Sequence, residues 1–551
     1  MESHVKKGGR HEFTQTGRPA VRGTQGAVTS PHYLATQAGK SILQQGGHAV
    51  DAAISMNAVL CVVLPHMAGL GGDLFSIISD RKESNIQAIN GSGRSGRKAA
   101  IGFYKEKGYD EIPDRGPLSS NTVPGTVKAW EDLHQQYGRI KWKDLFTDAI
   151  HYAQNGFPLS SKVAQFIFDK QEVLSQHPKT ADIFLPDGKP VAEGAVFKQP
   201  DLAQSLALIA EKGAEVFYQG DLAEKIVQSL QEEGGVLTLE DFSNHESTWE
   251  KPASTSYGSY EIHELHPNTQ GLATLMMLNV LKKFDLPSIG DHTPDYYHLM
   301  AEAAKLSFHY RDEWVTDPEF LSIPVKKLLS EEHTDKIFEK LDWRKAYPLD
   351  KLPEMPKVST SKDTTFMAAV DSEGNACSLI QSIYHEFGSG FVPEDTGILL
   401  QNRGSFFELD AEHPNALEPE KRTFHTIIPA MATKEGKPFM LFGTMGGEGQ
   451  PQTQAALFTR VVEFGYDIQQ AIEAPRWLYG RTWGEDSSSL KLESRIPDSI
   501  AGELANRGHE IEKAESFSQQ MGHAQGIVID EKTGVYSAGA DPRGDGIALS
   551  W

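Results

Sequence analysis

A threonine at the start of a predicted strand is the residue of this chain best placed for covalent chemistry. Thr364 lies in the run Asp363-Thr364-Thr365-Phe366-Met367-Ala368-Ala369-Val370, directly after a loop rich in proline and lysine. If the Thr364 hydroxyl attacks the carbonyl of Asp363 and the resulting ester is hydrolysed, Thr364 becomes a new chain terminus. Its free α-amine, with a pKa of about 7.7 to 8.0, can then act as its own general base. The alternative is an ordinary β-hairpin edge that carries no chemistry.

The hairpin that follows predicts a partner for this hydroxyl. Residues 371–375 are predicted to form the loop, which places Val370 opposite Ala376. Counting back along both strands pairs Thr364 with Ser382. Directly opposed side chains have Cβ atoms about 4.5 to 5.5 Å apart, so Ser382 is expected to orient the Thr364 hydroxyl unless a bulge intervenes. Ser/Thr pairs across strands also occur without a catalytic role.

Two glycine-rich segments could bind a negatively charged group. Residues 443–449 follow a predicted strand, and the N–H groups of Gly446 and Gly447 are candidates for an oxyanion hole. Residues 91–96 match the GxGxxG pattern of dinucleotide sites, but residues 97–108 contain no amphipathic helix that could face a pyrophosphate. The sequence has no HExxH, Walker or GxSxG pattern, which argues against the usual metal, nucleotide and serine-hydrolase sites.

Composition favours a small-molecule substrate. The 551 residues include 53 Lys and Arg against 75 Asp and Glu, and the formal net charge of −22 disfavours binding to nucleic acid or an anionic membrane. The two cysteines, Cys61 and Cys377, provide neither a disulfide framework nor a cysteine-rich metal site. Residues 1–10 lack an apolar signal segment, and the apolar run at 58–64 is too short to span a bilayer. We therefore expect a soluble, cytoplasmic protein that is not exported.

The predicted elements before residue 363 are mainly helical. A strand at 26–29 leads into a helix that Ser30 caps and that begins at Pro31. A second helix, at about 48–64, is apolar nearly all round and is therefore expected to be buried. An apolar strand is predicted at 74–79 after a glycine-rich turn. Further helices are predicted at 126–137, 142–154 and 294–309.

Strands are predicted to dominate after residue 363. They include those at 379–380, 397–400, 439–442 and 526–530. Residues 351–363 are expected to be an exposed linker. A chain of 551 residues exceeds what one core usually supports, so two lobes or one large layered domain are expected. Helices that cover sheets are the layered arrangement that this order of elements favours.

Seven ordered segments give the chain a resemblance to a known family. They are residues 46–53, 69–72, 123–127, 300–303, 363–365, 446–447 and 540–543. Together they resemble the γ-glutamyltransferase (γ-glutamyltranspeptidase) family of N-terminal-nucleophile hydrolases, and in particular its cephalosporin acylase-like branch. The similarity covers nearly the whole chain, and the ordered set is specific although each segment alone is weak.

The resemblance implies a fold and a way of processing. The fold is α+β, the four-layer αββα sandwich of the N-terminal-nucleophile hydrolases. The chain is expected to cleave itself between Asp363 and Thr364. The products are a large subunit, residues 1–363, with mostly helical layers plus sheet, and a small subunit, residues 364–551, with the catalytic sheet. The two subunits are expected to stay together as one αββα unit.

The resemblance also implies a catalytic set. Thr364 is the nucleophile that forms an acyl-enzyme, Ser382 orients it, and the amides of Gly446 and Gly447 line the oxyanion hole. Water or an amine then accepts the acyl group of a small amide or peptide substrate. No metal or organic cofactor is needed, and no nucleic-acid or membrane partner is expected.

The positions that would bind the substrate depart from the family pattern. In members that use glutathione, polar and charged side chains hold the α-amino and α-carboxylate groups of the γ-glutamyl moiety. The matching positions here are Ser92, Tyr384, Arg403, Phe406, His425 and Thr426. Phe406 replaces the carboxylate that would pair with an α-ammonium. We hypothesise that Arg94, Arg403 and His425 bind the free carboxylate of an acyl group such as glutaryl; the alternative makes them surface arginines and a structural histidine.

Three functions stay open on this evidence. The first is a self-processing threonine amidohydrolase that cleaves γ-glutamyl- or glutaryl-type amides. The second is a true γ-glutamyl transpeptidase of glutathione metabolism, which transfer to glycylglycine would reveal. The third is a catalytically silent binding protein on the same fold. The presence of Thr364 with Gly446 and Gly447 argues against the third, because a silent protein has no chemical need for them.

Overall fold

Fourteen of the described strands form two large sheets that lie face to face, each covered on its outer side by helices, and the other five form two small sheets. The computed structural model describes residues 17–82, 85–348, 351, 363–481 and 487–551. Its strands are β1 (Val21–Gly23), β2 (Ala27–Ser30), β3 (Asp73–Asp80), β4 (Asn85–Asn90), β5 (Phe157–Pro158), β6 (Val196–Phe197), β7 (Thr248–Glu250), β8 (Ala253–Tyr257), β9 (Tyr260–Glu264), β10 (Asp363–Val370), β11 (Ala376–Tyr384), β12 (Ala430–Lys434), β13 (Lys437–Thr444), β14 (Trp477–Tyr479), β15 (Leu490–Glu493), β16 (Ile511–Ala514), β17 (Ala524–Asp530), β18 (Val535–Ala540) and β19 (Ile547–Ser550).

The α-helices of the described residues are α1 (Tyr33–Gln44), α2 (Ala49–Val63), α3 (Ile101–Glu106), α4 (Thr126–Tyr137), α5 (Thr147–Asn155), α6 (Ser161–Asp169), α7 (Gln171–Leu174), α8 (Pro178–Phe184), α9 (Pro200–Lys212), α10 (Glu215–Tyr218), α11 (Asp221–Glu232), α12 (Leu239–Ser243), α13 (Gly271–Leu281), α14 (Leu286–Ile289), α15 (Pro294–Trp314), α16 (Val325–Leu328), α17 (Glu331–Phe338), α18 (Gly449–Val462), α19 (Ile468–Glu473) and α20 (Asp498–Asn506). Short 3-10 helices are Pro117–Ser119, Trp142–Phe146, Pro186–Gly188, Arg403–Phe406 and Gln519–Met521.

Both large sheets have seven strands and antiparallel neighbours. The first sheet has the order β19-β2-β10-β11-β3-β4-β7, and the second has the order β1-β18-β17-β13-β12-β9-β8. Strands from both halves of the chain meet in each sheet: β10 pairs with β2, and β12 pairs with β9. Residues before and after position 363 therefore contribute strands to the same two sheets.

An apolar layer joins the facing sides of the two sheets. Phe366 and Ile380 of the first sheet lie there in one buried cluster with Leu441 and Ile527 of the second. Met367 belongs instead to the cluster that contains α1 and α2 on the outer side of the first sheet, as the two-residue period of a strand requires. Helices α13, α15 and α18 pack on the outer side of the second sheet. The predicted four-layer αββα fold is confirmed.

Helix α2 shows how the sequence builds a buried layer. All of its 15 residues are buried, as its apolar composition predicts. Its first turn is closed by a capping box, in which Asp51 Oδ2 accepts a hydrogen bond from the backbone N–H of His48 at 2.9 Å. Among the described helices, none is both long and apolar enough to cross a bilayer.

The start of the first helix differs from the prediction. Helix α1 begins at Tyr33 with His32 as its N-cap, so the assignment of Ser30 as cap and Pro31 as first helical residue is wrong. Ser30 is still part of β2, because it pairs with Ile547 of β19. Its hydroxyl bonds to Thr36 Oγ1 at 2.7 Å instead of capping the helix. A pairing strand from the far end of the chain overrides the local capping signal.

Other boundaries also differ. No strand forms at residues 397–400; Leu400 makes only an isolated bridge to Gly71, and Gly397 has a φ of 66°. Among the described residues, helices outnumber strands before residue 363 and strands outnumber helices after it, as expected, although β1 to β9 also lie before it. Helix α15 continues five residues beyond the predicted end at residue 309. Of the predicted linker, residues 352–362 lie outside the described residues, and Lys351 is exposed.

A buried ionic network fastens the end of β18 to β15. Arg543 donates from Nε and Nη2 to the two carboxylate oxygens of Glu493, at 2.7 and 2.8 Å. Asp541 accepts hydrogen bonds from Arg476 and from Arg543 Nη1, the latter at 3.1 Å. Burial alone would raise the pKa of Asp541, but the two guanidinium groups outweigh it and hold the pKa well below its usual range. Asp541 is therefore ionised at neutral pH.

Asp541→Asn is expected to lower the free energy of unfolding by about 3 to 5 kcal/mol, because it leaves buried Arg476 without its counter-charge. Urea unfolding followed by circular dichroism measures this change. Asp335→Asn is the matched control, because Asp335 pairs with Lys283 at 2.6 Å but its side chain is 57% exposed. That variant is expected to lose less than about 1 kcal/mol. Equal losses in the two variants would contradict the prediction.

Candidate active site

The β10–β11 hairpin places Thr364 at a break in the strand pairing. From Val370↔Ala376 to Thr365↔Gln381 the register is the one predicted by counting from the loop. The next pair along the ladder is Asp363↔Tyr384, so a bulge adds one residue to β11 opposite Thr364. The direct pairing of Thr364 with Ser382 is therefore absent from the regular ladder. Bulges bend a strand and re-aim side chains, and they are common beside active sites.

Thr364 and Ser382 lie at the edge of the layer between the sheets. Both side chains are buried, with 1% and 0% of their surface exposed. Ser382 continues the face of β11 that carries Ile380, which lies between the two sheets. Ser382 Oγ accepts a hydrogen bond from the backbone N–H of Tyr384 at 2.9 Å. Its predicted role in orienting Thr364 stays a prediction.

Arg403 places a buried positive charge beside Ser382. Its side chain is fully buried, and Nη2 donates to Ser382 Oγ at 3.4 Å while Nη1 donates to Thr426 Oγ1 at 3.3 Å. The guanidinium lies over the ring of Tyr384, 4.1 Å from its centroid. No carboxylate of a described side chain lies within 4.0 Å of it, and Nε has no partner among the described residues. The guanidinium therefore has hydrogen bonds but no ion pair within the described residues, and it can form one with an anionic group of a substrate.

Arg403 stays protonated at neutral pH although it is buried. Burial lowers the pKa of Arg403 to about 10, which leaves the group protonated at neutral pH. The charge of Asp73 favours the protonated form of Arg403 from a distance, but no described carboxylate forms a direct ion pair with it, so part of the cost of its burial remains. An anionic group of a substrate would remove that penalty, so Arg403 is the strongest candidate here for binding a carboxylate.

A buried Asp–His pair lies on the neighbouring strand. Asp73 pairs with Ser382 in the β3–β11 ladder, and its Oδ2 lies 3.1 Å from Nε2 of His425. Its Oδ1 accepts hydrogen bonds from Gly93 N, Gly125 N and Gln401 Nε2 at 3.1, 3.2 and 3.1 Å. Burial raises the pKa of Asp73 to about 6, opposed by Arg403. At pH 7 the carboxylate is therefore mostly ionised.

His425 is neutral in this environment. Burial, followed by the charge of Arg403, lowers the pKa of His425 well below its usual value. With the Asp73 carboxylate facing Nε2, the ring proton belongs on Nε2. A neutral imidazole adds no positive charge for a carboxylate, so Arg403 alone supplies such a charge within this cluster.

Arg94 makes its contacts with other residues than those of the cluster formed by Ser382, Arg403 and His425. Its Nη2 forms an ion pair with Glu319 Oε1 at 2.6 Å, and 29% of its side chain is exposed. It lines a small surface pocket with Asp241 and His245. Neither the pocket nor the ion pair includes Ser382 or Arg403. The part of Arg94 in substrate binding stays a prediction.

Gly446 and Gly447 connect β13 of the second sheet to helix α18. Their φ angles are 122° and 52°, a region that residues with a Cβ rarely adopt. Their carbonyls accept hydrogen bonds from the first turn of the helix, with Gly449 N donating to Gly446 O at 2.8 Å. The N–H groups of such a turn at a helix N-terminus suit a developing negative charge. The oxyanion-hole role of these amides stays a prediction.

Phe406 belongs to an aromatic group beside Arg403. Its ring centroid lies 5.5 Å from that of Tyr384 and 4.9 Å from that of Phe424. Tyr384 has a φ of 83°, which is strained for a residue with a side chain. The ring of Phe406 itself supplies no carboxylate for an α-ammonium group, although Phe406 also lines a pocket that contains Asp312, Glu408 and Glu448.

One group of side chains has the composition of a metal site. His298, Glu302 and His509 are buried, and their ligand atoms lie within 4.8 Å of one another. The atoms are already partnered, because His298 Nδ1 lies 2.7 Å from His509 Nε2 and Lys305 donates to Glu302 Oε1 at 2.6 Å. Internal hydrogen bonds therefore account for this cluster without an ion.

Sequence reasoning missed Asp73, Gln401 and the partners of the glycine turn. Asp73 was assigned only to the turn before the apolar strand at 74–79. The sequence did contain a sign of its importance, because an acidic residue at the start of an otherwise apolar strand needs a polar partner. That partner, His425, lies 352 positions away in the sequence, so spacing alone could not identify it.

Comparison with known proteins gives consistent matches over nearly the full length. A model of the family described as gamma-glutamyltranspeptidase matches residues 35–551. The chain is 46% identical over 530 residues to the glutathione hydrolase-like YwrD proenzyme of Bacillus subtilis, covering 96% of this chain and 99% of the relative. It is 39% identical over 535 residues to the oxamate amidohydrolase proenzyme of Klebsiella pneumoniae, with 96% and 99% covered. The solved structure of cephalosporin acylase from Bacillus halodurans superposes with a TM-score of 0.89, at 34% identity and 99% coverage of both chains.

Proposed function

The chain belongs to the gamma-glutamyltranspeptidase family, and from this premise we propose that it is a self-processing N-terminal threonine amidohydrolase. Its relatives are hydrolases and acylases, and the chain is an enzyme of this kind. The proposed substrates are small γ-glutamyl- or glutaryl-type amides. The cytoplasmic location stays a prediction from the sequence.

Self-cleavage between Asp363 and Thr364 would create the active enzyme. The names of two relatives include the word proenzyme, which supports a single precursor that is processed into subunits. The cut would leave residues 1–363 as the large subunit and a small subunit of 551 − 363 = 188 residues. It would also free the α-amine of Thr364, because before cleavage this nitrogen belongs to a peptide bond and cannot act as a base.

The chemistry is two-step acyl transfer. The α-amine takes the proton of the Thr364 hydroxyl as Oγ attacks the amide carbonyl, and the resulting oxyanion lies against the amides of Gly446 and Gly447. The α-ammonium then protonates the leaving amine as the C–N bond breaks, which leaves an acyl ester on Thr364. The α-amine then takes a proton from water as the water oxygen attacks the ester carbonyl, and it returns that proton to Thr364 Oγ as the C–O bond breaks and the acid leaves. This sequence needs no metal or organic cofactor.

The observation that carries the substrate proposal is the buried guanidinium of Arg403. It is fully buried, without a carboxylate partner among the described residues, and 3.4 Å from Ser382 Oγ. A carboxylate on the acyl group would pair with it while the amide carbonyl lies near Thr364. The names of the relatives point to glutathione, oxamate and cephalosporin amides, so they support amide hydrolysis without selecting one acyl group.

Steady-state rates with three p-nitroanilides test this proposal. Glutaryl-, γ-glutamyl- and butyryl-p-nitroanilide share a leaving group, and butyryl is glutaryl without its carboxylate. We expect kcat/KM for the glutaryl compound to exceed that for butyryl by about 10- to 100-fold, the value of one charged hydrogen-bonded pair. We expect the γ-glutamyl compound to be no better than glutaryl, because Phe406 offers no partner for its ammonium. Equal rates with glutaryl and butyryl would contradict the proposal.

The two alternatives give different results in the same assay. A true transpeptidase would prefer the γ-glutamyl compound and would transfer its acyl group to added glycylglycine. A silent binding protein would turn over none of the three compounds. Oxamate, assayed by ammonia release, extends the panel to a shorter acyl group.

A further inference from the structure

One buried glutamine joins the glycine turn to the segment that contacts Arg403. Gln270 immediately precedes helix α13, and none of its surface is exposed. Its Nε2 donates to Gly447 O at 2.9 Å and to Thr426 O at 2.5 Å. Thr426 in turn accepts a hydrogen bond from Arg403 through its hydroxyl. Gln270 therefore spans the two parts of the candidate site, where the oxyanion and the substrate carboxylate would lie.

Arg311 fixes which way the amide of Gln270 faces. Its Nη1 donates to Gln270 Oε1 at 2.9 Å, so Nε2 must face the two carbonyls. The same guanidinium donates from Nη2 to Glu448 Oε1 at 3.2 Å, one residue after Gly447. Arg311 is fully buried on helix α15. The turn is thus held at Gly447 through Gln270 and at Glu448 through Arg311.

The ionic part of this arrangement is balanced. Arg481 Nη2 donates to Glu448 Oε1 at 3.1 Å and to Asp312 Oδ2 at 3.3 Å, while Arg311 Nε donates to Asp312 Oδ1 at 2.7 Å. Burial alone would raise the pKa of Glu448, but the two guanidinium groups outweigh it and lower the pKa. Two arginines and two acidic side chains therefore form a buried, hydrogen-bonded group beside the turn.

We propose that Gln270, oriented by Arg311, is a positioning residue of the oxyanion hole. The proposal rests on the proposed function, in which the amides of Gly446 and Gly447 stabilise an oxyanion. Glycines have more backbone freedom than other residues, yet an oxyanion hole works only when its donors are fixed before the reaction. The turn has no side chains of its own to fix it. The contacts of Gln270 supply that restraint from another part of the chain.

Gln270→Glu tests the proposal with almost no change of shape. The carboxylate keeps a partner in Arg311 but turns an oxygen toward the carbonyls of Gly447 and Thr426, which repels both. We expect kcat to fall by about 10- to 100-fold, somewhat less than the loss of an oxyanion-hole donor itself, while KM changes by less than about threefold. The loss should be equal for glutaryl- and butyryl-p-nitroanilide, because the oxyanion forms with every amide. Rates are taken per active site, counted by titration.

Gln454→Glu is the matched control. Gln454 is equally buried, donates from Nε2 to Ile428 O at 2.9 Å and accepts from Thr274 Oγ1 at 2.9 Å, but it does not contact the glycine turn. Its replacement should leave kcat within about threefold of wild type. Gln270→Met, an uncharged replacement, should reproduce the loss of kcat caused by Gln270→Glu.

The outcomes separate this inference from the proposed function. If wild type hydrolyses none of the anilides, the proposed function fails and the inference fails with it. If wild type is active and Gln270→Glu keeps its kcat, only the inference is overturned. It is also overturned if the loss appears in KM alone, or if both Gln270 variants fail to fold while Gln454→Glu folds, because Gln270 would then serve stability.

Discussion

Thr364→Ala is expected to abolish amide hydrolysis, with a loss of kcat on the order of 10⁴- to 10⁶-fold. The size of the effect follows from the proposed chemistry, in which one residue supplies both the nucleophile and, through its α-amine, the general base. Alanine removes the hydroxyl that attacks the substrate. It also removes the hydroxyl that would cleave the chain, so the base would never form. The measurement is the steady-state rate with glutaryl-p-nitroanilide.

Two neighbouring changes show whether the effect belongs to this hydroxyl. Thr364→Ser keeps a hydroxyl and is expected to retain measurable activity. Thr365→Ala removes the adjacent buried hydroxyl, which donates to Gln381 O at 3.2 Å, and is expected to reduce the rate by less than about tenfold. A Thr364→Ala enzyme with more than a tenth of the wild-type rate would rule out Thr364 as the nucleophile.

Arg403→Met should reduce kcat/KM for glutaryl-p-nitroanilide by about 10²- to 10³-fold, or about 3 to 4 kcal/mol at about 1.4 kcal/mol per factor of ten. Methionine fills a similar volume without the charge, so a carboxylate that enters the site finds no partner and must still lose its hydration. Butyryl-p-nitroanilide, which has no carboxylate, should react within about threefold of the wild-type rate. The ratio of the two substrates is therefore the measurement that matters.

Arg94→Met provides the matched control for Arg403→Met. Arg94 pairs with Glu319 and is partly exposed, so its replacement should change kcat/KM by less than about threefold for either substrate. This comparison also tests the hypothesis from the sequence that the two arginines act together. A larger effect at Arg94, or equal losses of both substrates at Arg403, would show that Arg403 does not recognise the carboxylate.

For the β10–β11 hairpin, the sequence predicts most of the strand register but not the bulge. Counting from the loop at 371–375 gave the correct register as far as Thr365↔Gln381, because a tight loop fixes which residues face each other. It could not give the bulge opposite Thr364. The bulge lies in the last residues of β11, which ends at Tyr384, and the loop signal at 371–375 carries no information about it.

The candidate site shows the same division. The sequence predicted Thr364, Ser382, Arg403 and the glycine pair as candidates, since each has a chemical type or a family position that stands out. It missed Asp73 and Gln270, whose significance comes only from their partners. Gln270 contacts Gly447 across 177 positions of sequence, and no local pattern records that contact. It also could not show that His425 is neutral, because that follows from burial.

The most direct test of the account is the intact mass, under denaturing conditions, of freshly purified wild type and of Thr364→Ala. The account predicts two wild-type fragments that meet at Asp363 and Thr364, and a single uncut chain for the variant. A wild-type chain that stays whole would contradict it, because the α-amine that serves as the base would never be released.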